Sequence, residues 1–419
     1  MSQFTLSDHN HNLRLNLVHE FFWGFGLAFH TVYAVIPLFL RELGAPNGIA
    51  VSVGGLFTFL MAVPQLITAI IGRNIRNIKF AVLLVHSLIW VPIFIMGATF
   101  TFFPPSGSSA WAFYLFLFSI YGLGLGVVIP IWADFLNAVT LRKVRGTFFG
   151  FSFAFGSIGS FFGGMLLKYI LESSLAFPRN FGVGFFIFFG STVIATVIYF
   201  GYRVNENRPK RKKLPLVGFL KLTKTVMKGD KNLQKYILSR IFYCAFFPAV
   251  SLYPVYCQNK FEFEIGEAGN FTIINVIASG VASYFTGKVG QLYGHKLGLA
   301  ISYVAHILAV VMAIFSQNMI WVYGVFLCIG IANGAFMPSA MNLVYDFAAD
   351  RDNKLYIALI DSILAPFVIL FIVLVGILTE LKLFYIALIA IGGSLFVGFI
   401  VLILFVKDPG LFPKFSIEK

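Results

Sequence analysis

Twelve long apolar stretches, divided six and six by one basic segment, constrain the fold of this 419-residue chain more than any other feature. Each stretch has about the ~20 residues that an α-helix needs to cross the hydrocarbon core of a bilayer. The basic segment, residues 203–235, contains eleven Lys or Arg residues. We therefore predict an all-α membrane protein with twelve transmembrane helices in two six-helix pseudo-repeats. The predicted helices lie near residues 17–40, 48–71, 80–103, 111–135, 146–171, 182–202, 236–258, 268–287, 297–316, 320–346, 355–379 and 383–406.

The composition agrees with a membrane protein. Hydrophobic residues make up 59% of the chain and charged residues 11%, which is too few charges to cover the surface of a soluble protein of this length. The three cysteines have no paired or metal-ligand spacing, so we expect neither a disulfide nor a metal site. The first sixteen residues are polar, and the apolar run after them is too long for a signal-peptide core, so we expect no cleavable signal.

The net charge of +14 is distributed as in a membrane protein rather than a nucleic-acid-binding protein. If the N-terminus is cytoplasmic, the cytoplasmic segments contain 25 Lys or Arg residues and the segments on the other side contain five. This asymmetry follows the positive-inside rule and predicts that both termini are cytoplasmic. Anionic lipid head groups then suffice as partners for the basic loops, and we expect no nucleic acid partner. We expect a multi-pass protein of the bacterial inner membrane.

Short motifs recur at matching positions in the two halves. The fourth predicted helix contains a Gly-x-x-x-Pro motif at 126–130, and the tenth contains one at 334–338. A basic turn that begins with glycine follows the second helix at 72–79 and the eighth at 287–296. Parallel six-helix repeats are a known architecture of transporters. The predicted domains are an N-terminal six-helix bundle at 1–202, a basic cytoplasmic linker at 203–235 and a C-terminal six-helix bundle at 236–419.

On these motifs the chain resembles the major facilitator superfamily of secondary transporters over essentially its whole length. The turn from Gly287 to Lys296 looks like the family's cytoplasmic signature, although Gln291 and Leu292 stand where the family often has Asp and Arg. The turn at 142–146 resembles the Arg-Gly element after the family's fourth helix. The resemblance implies a monomeric carrier without a cofactor, which binds its solute between the two halves and works by alternating access.

Polar side chains inside the predicted helices of the first half are candidates for transport, because burying them in a bilayer is costly. His30 lies near the centre of the first helix, and Tyr33, three residues later, is predicted to share its helix face. The His30 imidazole can bind substrate or carry a proton, or it can fix packing by bonding to a neighbouring helix. Glu20, nearer the cytoplasmic end, can serve as a coupling carboxylate or as a gate partner.

Candidates in the second half carry both charges. Arg240 in the seventh helix can extend its guanidinium to the cytoplasm or hold an anionic substrate group, and Tyr243 is predicted to share its face. Asp361 in the eleventh helix is the deepest carboxylate, which suits reversible protonation; an ion pair or a helix cap is the alternative. Asn333 and Gln65 can exchange hydrogen bonds with a solute.

The resemblance also implies a cytoplasmic gate. In the family, an acidic residue at the end of the fourth helix commonly pairs with the basic turn after the second. In this chain, that residue is Asp134 and its partner is Arg73 or Arg76. The predicted gate residues are Arg73, Arg76, Asp134, Arg145, Gly287, Gly294 and Lys296.

His86 and His306 lie in helices that are peripheral in the family, and we predict that both are structural.

The functional prediction is a secondary active transporter that is proton-coupled. The chain has no phosphate-binding G-x-x-x-x-G-K-[ST] loop and no catalytic spacing, so we expect neither ATP-driven pumping nor an enzyme. Residues 159–164 resemble a fifth-helix signature of drug–proton antiporters, with Ser160 in place of its Pro. Together with the aromatic content, this favours export of amphipathic or hydrophobic compounds. Uptake of a polar metabolite, such as a sugar or organic acid, is the first alternative. A lipid transporter or a non-transporting receptor is the second.

Overall fold

A computed structural model shows an all-helical protein. It describes residues 4–72, 75–141, 144–205, 216–348 and 353–411, and these residues contain no β-strand. Eleven helical segments of this described part are long and apolar enough to cross a membrane. The prediction of an all-α membrane protein is confirmed.

Six spanning segments come from eight helices in the first half. The helices are α1 (Leu6–Leu27), α2 (Val35–Glu42), α3 (Asn47–Ile71), α4 (Ile78–Leu88), α5 (Trp90–Phe102), α6 (Ser108–Val139), α7 (Arg145–Leu171) and α8 (Arg179–Val197). The first span joins α1 to α2 through a 3-10 turn at Ala28–His30, and the third span joins α4 to α5. Each remaining span contains one α-helix. A second 3-10 turn, Ile198–Gly201, extends α8.

The second half begins with a helix in the basic linker and then repeats the pattern. Its helices are α9 (Leu216–Gly229), α10 (Lys231–Tyr243), α11 (Phe246–Phe261), α12 (Glu267–Tyr293), α13 (His295–Ile314), α14 (Met319–Ala348), α15 (Asn353–Glu380) and α16 (Phe384–Phe405). The seventh span consists of α10 and α11. In α9, Lys221 and Lys224 are exposed, whereas Val226 is buried.

The eighth span is more polar than the other spans. α12 has 27 residues, but it is not among the eleven segments that are apolar enough to cross a membrane. Its polar side chains bond to α14 instead. Ser283 Oγ donates to the carbonyl oxygen of Gly334 at 2.9 Å, and Asn275 Nδ2 donates to that of Phe326 at 3.5 Å. Because these groups are satisfied inside the bundle, the helix does not need a continuous apolar surface.

The first helix begins earlier than the predicted start at residue 17. Thr5 caps α1 in a capping box. The Thr5 hydroxyl accepts from the Asp8 backbone N–H, and the Asp8 carboxylate accepts from the Thr5 backbone N–H. Asn12 and Asn16 in the next turns are buried. Asn16 Nδ2 donates to Ser152 Oγ at 2.6 Å. The stretch is polar, and these side chains are satisfied by partners on other helices.

Contacts divide the chain into two compact units that are not continuous in sequence. The first comprises Met1–Pro46, Phe57–Lys213 and Phe263–Ile273, and the second Asn47–Leu56, Leu214–Glu262 and Ile274–Lys419. In the second unit, the start of α3 is bound by α11, because the Gly54 backbone N–H donates to Ser251 Oγ at 2.9 Å. In the first unit, a Cβ on Gly269 would lie 2.8 Å from the Cα of Lys168 on α7. The sequence-based domains at 1–202 and 236–419 stay a prediction.

Glycines bring α7 into backbone contact with α1. A Cβ on Gly159 would overlap the carbonyl oxygen of Phe21, and one on Gly163 would overlap that of Phe25. Ser160 Oγ donates to the carbonyl oxygen of Gly24 at 2.9 Å. Small residues allow such close approach between membrane helices. Gly159 and Gly163 therefore hold two helices of the first half together, which accounts for these two glycines of the motif without reference to a substrate.

The recurring Gly-x-x-x-Pro motifs have one structural role in both halves. A Cβ on Gly126 of α6 would overlap the carbonyl oxygen of Met61 on α3. A Cβ on Gly334 of α14 would overlap that of Ser279 on α12. The motif thus packs the fourth span against the second and the tenth against the eighth.

Candidate functional site

A buried cation lies in the last turn of α10. Arg240 is 7% exposed, and its Nη1 donates to the hydroxyl of Tyr236 at 3.2 Å. The guanidinium carbon lies 4.5 Å from the ring centroid of Phe336 on α14 and 5.5 Å from that of Tyr243. Aromatic faces stabilise a cation in this arrangement, so this side chain is held inside the bundle rather than extended toward the solvent.

Asp361 on α15 interacts electrostatically with Arg240. Its side chain is half-buried. The two residues belong to the same unit, and they place opposite charges on the seventh and eleventh spans. Two members of the predicted set, one assigned to proton coupling and one to substrate binding, are therefore brought together. A proton on the carboxylate removes the charge that neutralises the guanidinium, so the guanidinium can then bind another anion.

Tyr243 packs beside this pair as a buried residue. Its hydroxyl is 2.8 Å from Ser302 Oγ on α13, and its ring stacks on Phe336 with centroids 4.9 Å apart. Both ends of the side chain are thus occupied by protein. Asn333, one turn before Phe336 on α14, is half-buried. Gln65 on α3 is also half-buried and follows a proline within its helix.

His30 lies where the first span is interrupted. The 3-10 turn ends at this residue, Thr31 is extended, and α2 starts at residue 35. Thr31 Oγ1 accepts from the Val35 backbone N–H at 3.1 Å, which satisfies a donor at the start of α2. The prediction that Tyr33 shares a helix face with His30 is wrong, because Tyr33 lies in the turn between the two helices.

The His30 imidazole is enclosed by aromatic rings of the first unit. Its Nε2 is 2.9 Å from the hydroxyl of Tyr114 on α6. The rings of Tyr121 and Phe188 lie 5.0 and 5.2 Å away, measured between centroids. His30 is 5% exposed. The arrangement supplies a titratable group with one hydrogen-bonding partner in an otherwise apolar environment.

Glu20 is a buried carboxylate of the first unit. It is 8% exposed, and its Oε1 is 3.9 Å from His19 Nε2. His19 in turn reaches the carbonyl oxygen of Ala195 on α8 through Nδ1, at 2.8 Å. The predicted coupling carboxylate therefore lies beside an imidazole that the sequence did not single out.

The predicted gate residues lie on turns and helix ends. Arg73 is outside the described residues. Arg76 is exposed and Asp134 is half-buried on α6, and both take part in further interactions. Arg145 is the first residue of α7. Gly287 lies within α12 and is half-buried.

Gly294 and Lys296 form the start of α13. Gly294 caps this helix with φ of +86°, a conformation that favours glycine. Asp408, after α16, accepts from the Lys296 backbone N–H at 2.8 Å. The Lys296 ammonium donates to the carbonyl oxygens of Ile403 and Val406 at 2.9 and 2.7 Å. It thereby satisfies acceptors in the last turn of α16, where a positive charge also complements the helix dipole.

The first half contains the same arrangement. The Lys79 ammonium donates to the carbonyl oxygens of Phe200 and Tyr202 at 2.6 and 3.1 Å. In each half, such a lysine and the asparagine described next form what we call the end clamp: Lys79 with Asn12 in the first half, and Lys296 with Asn232 in the second. Asn12 exchanges two hydrogen bonds with the backbone of Arg203, at 2.7 and 2.9 Å. Asn232 exchanges two with that of Lys407, both at 2.8 Å.

The end clamp fixes the register between the repeats. Asn12 corresponds to Asn232 on the first helix of each half, so His19 corresponds to Ser239 and Glu20 to Arg240. Both copies therefore have the clamp. Farther along the same helix, the copies carry opposite charges, because Glu20 corresponds to Arg240.

We expect Lys296→Met to lower the free energy of unfolding by about 1–2 kcal/mol, because charged hydrogen bonds to the last carbonyls of α16 are lost. Lys79→Met should have a similar effect in the first half. Thermal unfolding of the detergent-purified protein measures both. Lys224→Met, at an exposed position of α9, is the control, and an equal loss in all three variants would contradict a specific role of the clamp.

Comparison with known proteins bears on both fold and family. Residues 236–418 match the family model described as Major Facilitator Superfamily. No curated protein sequence matches the chain significantly.

Solved structures match over nearly the whole chain. A POT family transporter in complex with 5-aminolevulinic acid has a TM-score of 0.73 at 14% identity, covering 95% of this chain and 96% of that one. The nucleoside transporter NupG has 0.67 at 14%, covering 94% and 98%. A D-xylose-proton symporter has 0.66 at 13%, covering 95% and 98%.

At these identities the structures show a shared fold rather than a shared substrate. Over its second half the sequence is similar to the Major Facilitator Superfamily, and over nearly its whole length the chain has the fold of these solved transporters.

Proposed function

We propose that this transporter moves an amphipathic small molecule by alternating access and couples the movement to protons. The observation that carries the proposal is that Arg240 and Asp361 place opposite charges, which interact electrostatically, inside the membrane-spanning part of the second unit. Buried ionisable groups in spanning helices are costly and are typical of ion and substrate pathways. The aromatic rings around Arg240 provide an apolar surface beside the charge.

The pair supports a specific order of events. While Asp361 is ionised, it neutralises Arg240 and competes with any anionic solute for the guanidinium. A proton on Asp361 ends this competition, so Arg240 becomes available to a carboxylate or phosphate group, which guanidinium binds well. The proton and an acidic solute therefore bind together, and we propose that they move in the same direction. An acidic group attached to an apolar body is the substrate class that fits Arg240 and its rings.

Export of amphipathic or hydrophobic compounds is the second candidate. The aromatic enclosure of His30 favours it, because these rings offer contacts to an apolar solute with a single polar group. Gly159 and Gly163 do not support export by themselves, since they pack α7 against α1. Antiport of this kind would show protons moving against the solute.

The test is flux in proteoliposomes with an imposed pH gradient, using a panel of organic acids, sugars, dyes and drugs. The wild-type protein is expected to take up an acidic amphipathic solute together with protons. Asp361→Asn imitates the protonated carboxyl, so it should still exchange solute across the membrane but should lose accumulation driven by the pH gradient. Glu380→Gln, on the same helix, keeps an oxygen that can accept from Gly48 and is the matched control.

Each other outcome has a defined meaning. Accumulation that survives in Asp361→Asn would contradict proton coupling at this residue. Solute-driven protons moving in the opposite direction would favour the export candidate. Movement of lipids alone, or the absence of flux for the whole panel despite measurable binding, would support the lipid-transporter or receptor alternatives instead.

A further inference from the structure

Two imidazoles and one phenol meet in the first unit, whereas Arg240 and Asp361 belong to the second. His19 on α1 and His86 on α4 each place Nε2 3.2 Å from the hydroxyl oxygen of Tyr199. Tyr199 lies in the 3-10 turn after α8. All three side chains are buried. How these three side chains can bond to one another depends on which imidazole nitrogens carry a hydrogen, since the phenol has only one.

The second nitrogen of each imidazole fixes its tautomer. His19 Nδ1 lies 2.8 Å from the carbonyl oxygen of Ala195, and His86 Nδ1 lies 2.8 Å from that of Val82. A carbonyl oxygen can only accept, so each Nδ1 must carry a hydrogen. A neutral imidazole has one N–H group. In the neutral state, both Nε2 atoms are therefore acceptors.

The Tyr199 hydroxyl cannot satisfy two acceptors. It has one hydrogen and can donate to only one Nε2, so the other nitrogen would face the phenol oxygen with its lone pair. Leaving a buried acceptor unsatisfied costs about 1–3 kcal/mol. One additional proton removes the mismatch. One imidazolium then donates from Nε2 to the phenol oxygen, and the hydroxyl donates to the Nε2 of the other histidine.

The surroundings offset the charge of an added proton. Glu20 Oε1 is 3.9 Å from His19 Nε2 and can serve as the counter-ion. The Trp23 ring stacks on His19 at 6.0 Å and meets the His86 ring edge-on at 5.6 Å, which stabilises a cation. Burial alone disfavours a charged imidazole, and a nearby carboxylate with an aromatic face opposes that effect.

The other groups that act on the trio are known. Glu20 and Tyr202 interact electrostatically with Tyr199, and the Trp132 side chain hydrogen-bonds to it from α6. His19 and His86 also act on each other. The Tyr202 hydroxyl donates to Asn16 Oδ1 at 2.8 Å. Among these groups, Glu20 is the carboxylate.

We propose that His19, Tyr199 and His86 form a buried proton-binding site that holds one proton between the two imidazoles, with Glu20 as its counter-ion. The ligand is H⁺, and its binding gives every polar atom of the trio a partner. The site lies in the first unit, whereas Asp361 lies in the second. Its protonation state can be measured whether or not Asp361 couples transport.

The decisive measurement is nitrogen NMR of the full-length protein in lipid nanodiscs, with ¹⁵N in the histidine rings. His19→Gln and His86→Gln identify the two signals among the seven histidines of the chain. At pH 7 we expect one imidazolium shared by the pair, so that both Nδ1 atoms are protonated and the two Nε2 atoms carry one hydrogen between them. Two neutral rings, each with an unprotonated Nε2, would overturn the proposal, and this result is obtained from the wild-type protein once the two variants have assigned the signals.

Variants then test the named partners. Glu20→Gln removes the counter-ion and should move loss of the imidazolium signal to a lower pH by about one unit or more. Tyr199→Phe removes the shared oxygen and should abolish the signal. Tyr202→Phe, which deletes a neighbouring buried hydroxyl, should retain it and controls for general destabilisation. An unchanged titration in Glu20→Gln would overturn the assignment of the counter-ion, and equal loss in both tyrosine variants would overturn that of Tyr199.

Discussion

Replacing Arg240 with methionine is expected to abolish uptake of acidic solutes and to lower the free energy of unfolding by roughly 1–3 kcal/mol, because the Asp361 carboxylate loses the cation that interacts with it. The guanidinium is 7% exposed and interacts with Asp361. In the variant, that carboxylate keeps its place without its cation. Methionine preserves an unbranched apolar chain beside Phe336, so the change reports on the charge. Thermal unfolding and proteoliposome flux measure the two effects.

A double variant separates stability from transport. The double variant Arg240→Met with Asp361→Asn removes both charges, so no unpaired charge remains and most of the lost stability should return. Flux should stay absent, because no guanidinium remains for the solute. Arg240→Lys keeps the charge but loses the planar fork of donors, and it should retain part of the flux. If the single and double variants were equally unstable, Asp361 would not be the partner of Arg240.

The second large effect is expected at Gly159, where alanine should prevent α7 from packing on α1. Its Cβ would overlap the carbonyl oxygen of Phe21, which is backbone and cannot rotate away. Overpacking of a core costs about 1–3 kcal/mol and more when backbone must move. Separation of the helices would also strain the bonds from Asn16 to Ser152 and from Ser160 to Gly24. We expect a large fall in melting temperature and in the yield of monodisperse protein.

Gly190 provides a matched control in the same half. It also lies within a helix, α8, but no atom lies within 4 Å of a Cβ placed there. Gly190→Ala should therefore leave stability unchanged or raise it by up to about 1 kcal/mol, because alanine favours helix more than glycine does. Equal melting temperatures for the two variants would contradict the packing role of Gly159.

The sequence predicted the spans well because bilayer crossing leaves a long, local signal in hydropathy. It failed where tertiary partners replace that signal. α12 is polar because α14 satisfies its side chains, and α1 starts in a polar stretch because Asn12 and Asn16 have partners on other elements. The interruption after His30 was also missed. It depends on Thr31 capping α2, and nothing in the run of apolar residues indicates it.

The candidate site was predicted residue by residue but not as an arrangement. Arg240 and Asp361 were each identified because charges in spanning helices are unusual, yet their sequence separation hides their interaction. His19 and His86 were not combined, because the link between them is a tyrosine at a third position. Lys296 was assigned to a gate by its place in a family motif. The structure shows the local bonds of its ammonium to α16, which depend on backbone carbonyls that carry no sequence signature.

The end clamps have a consequence for how the chain matures during synthesis. Domains generally fold in order from the N-terminus as they emerge from the ribosome. The clamp of the first half needs only residues up to Arg203, so it can close while the second half is still being translated. The clamp of the second half needs Val406 and Lys407, which are made only after the whole of α16. A nascent chain stopped shortly before residue 403 would therefore have a finished first half. In its second half, the clamp lysine and asparagine would still lack their bonding partners. At this stage a membrane chaperone or protease has most to recognise.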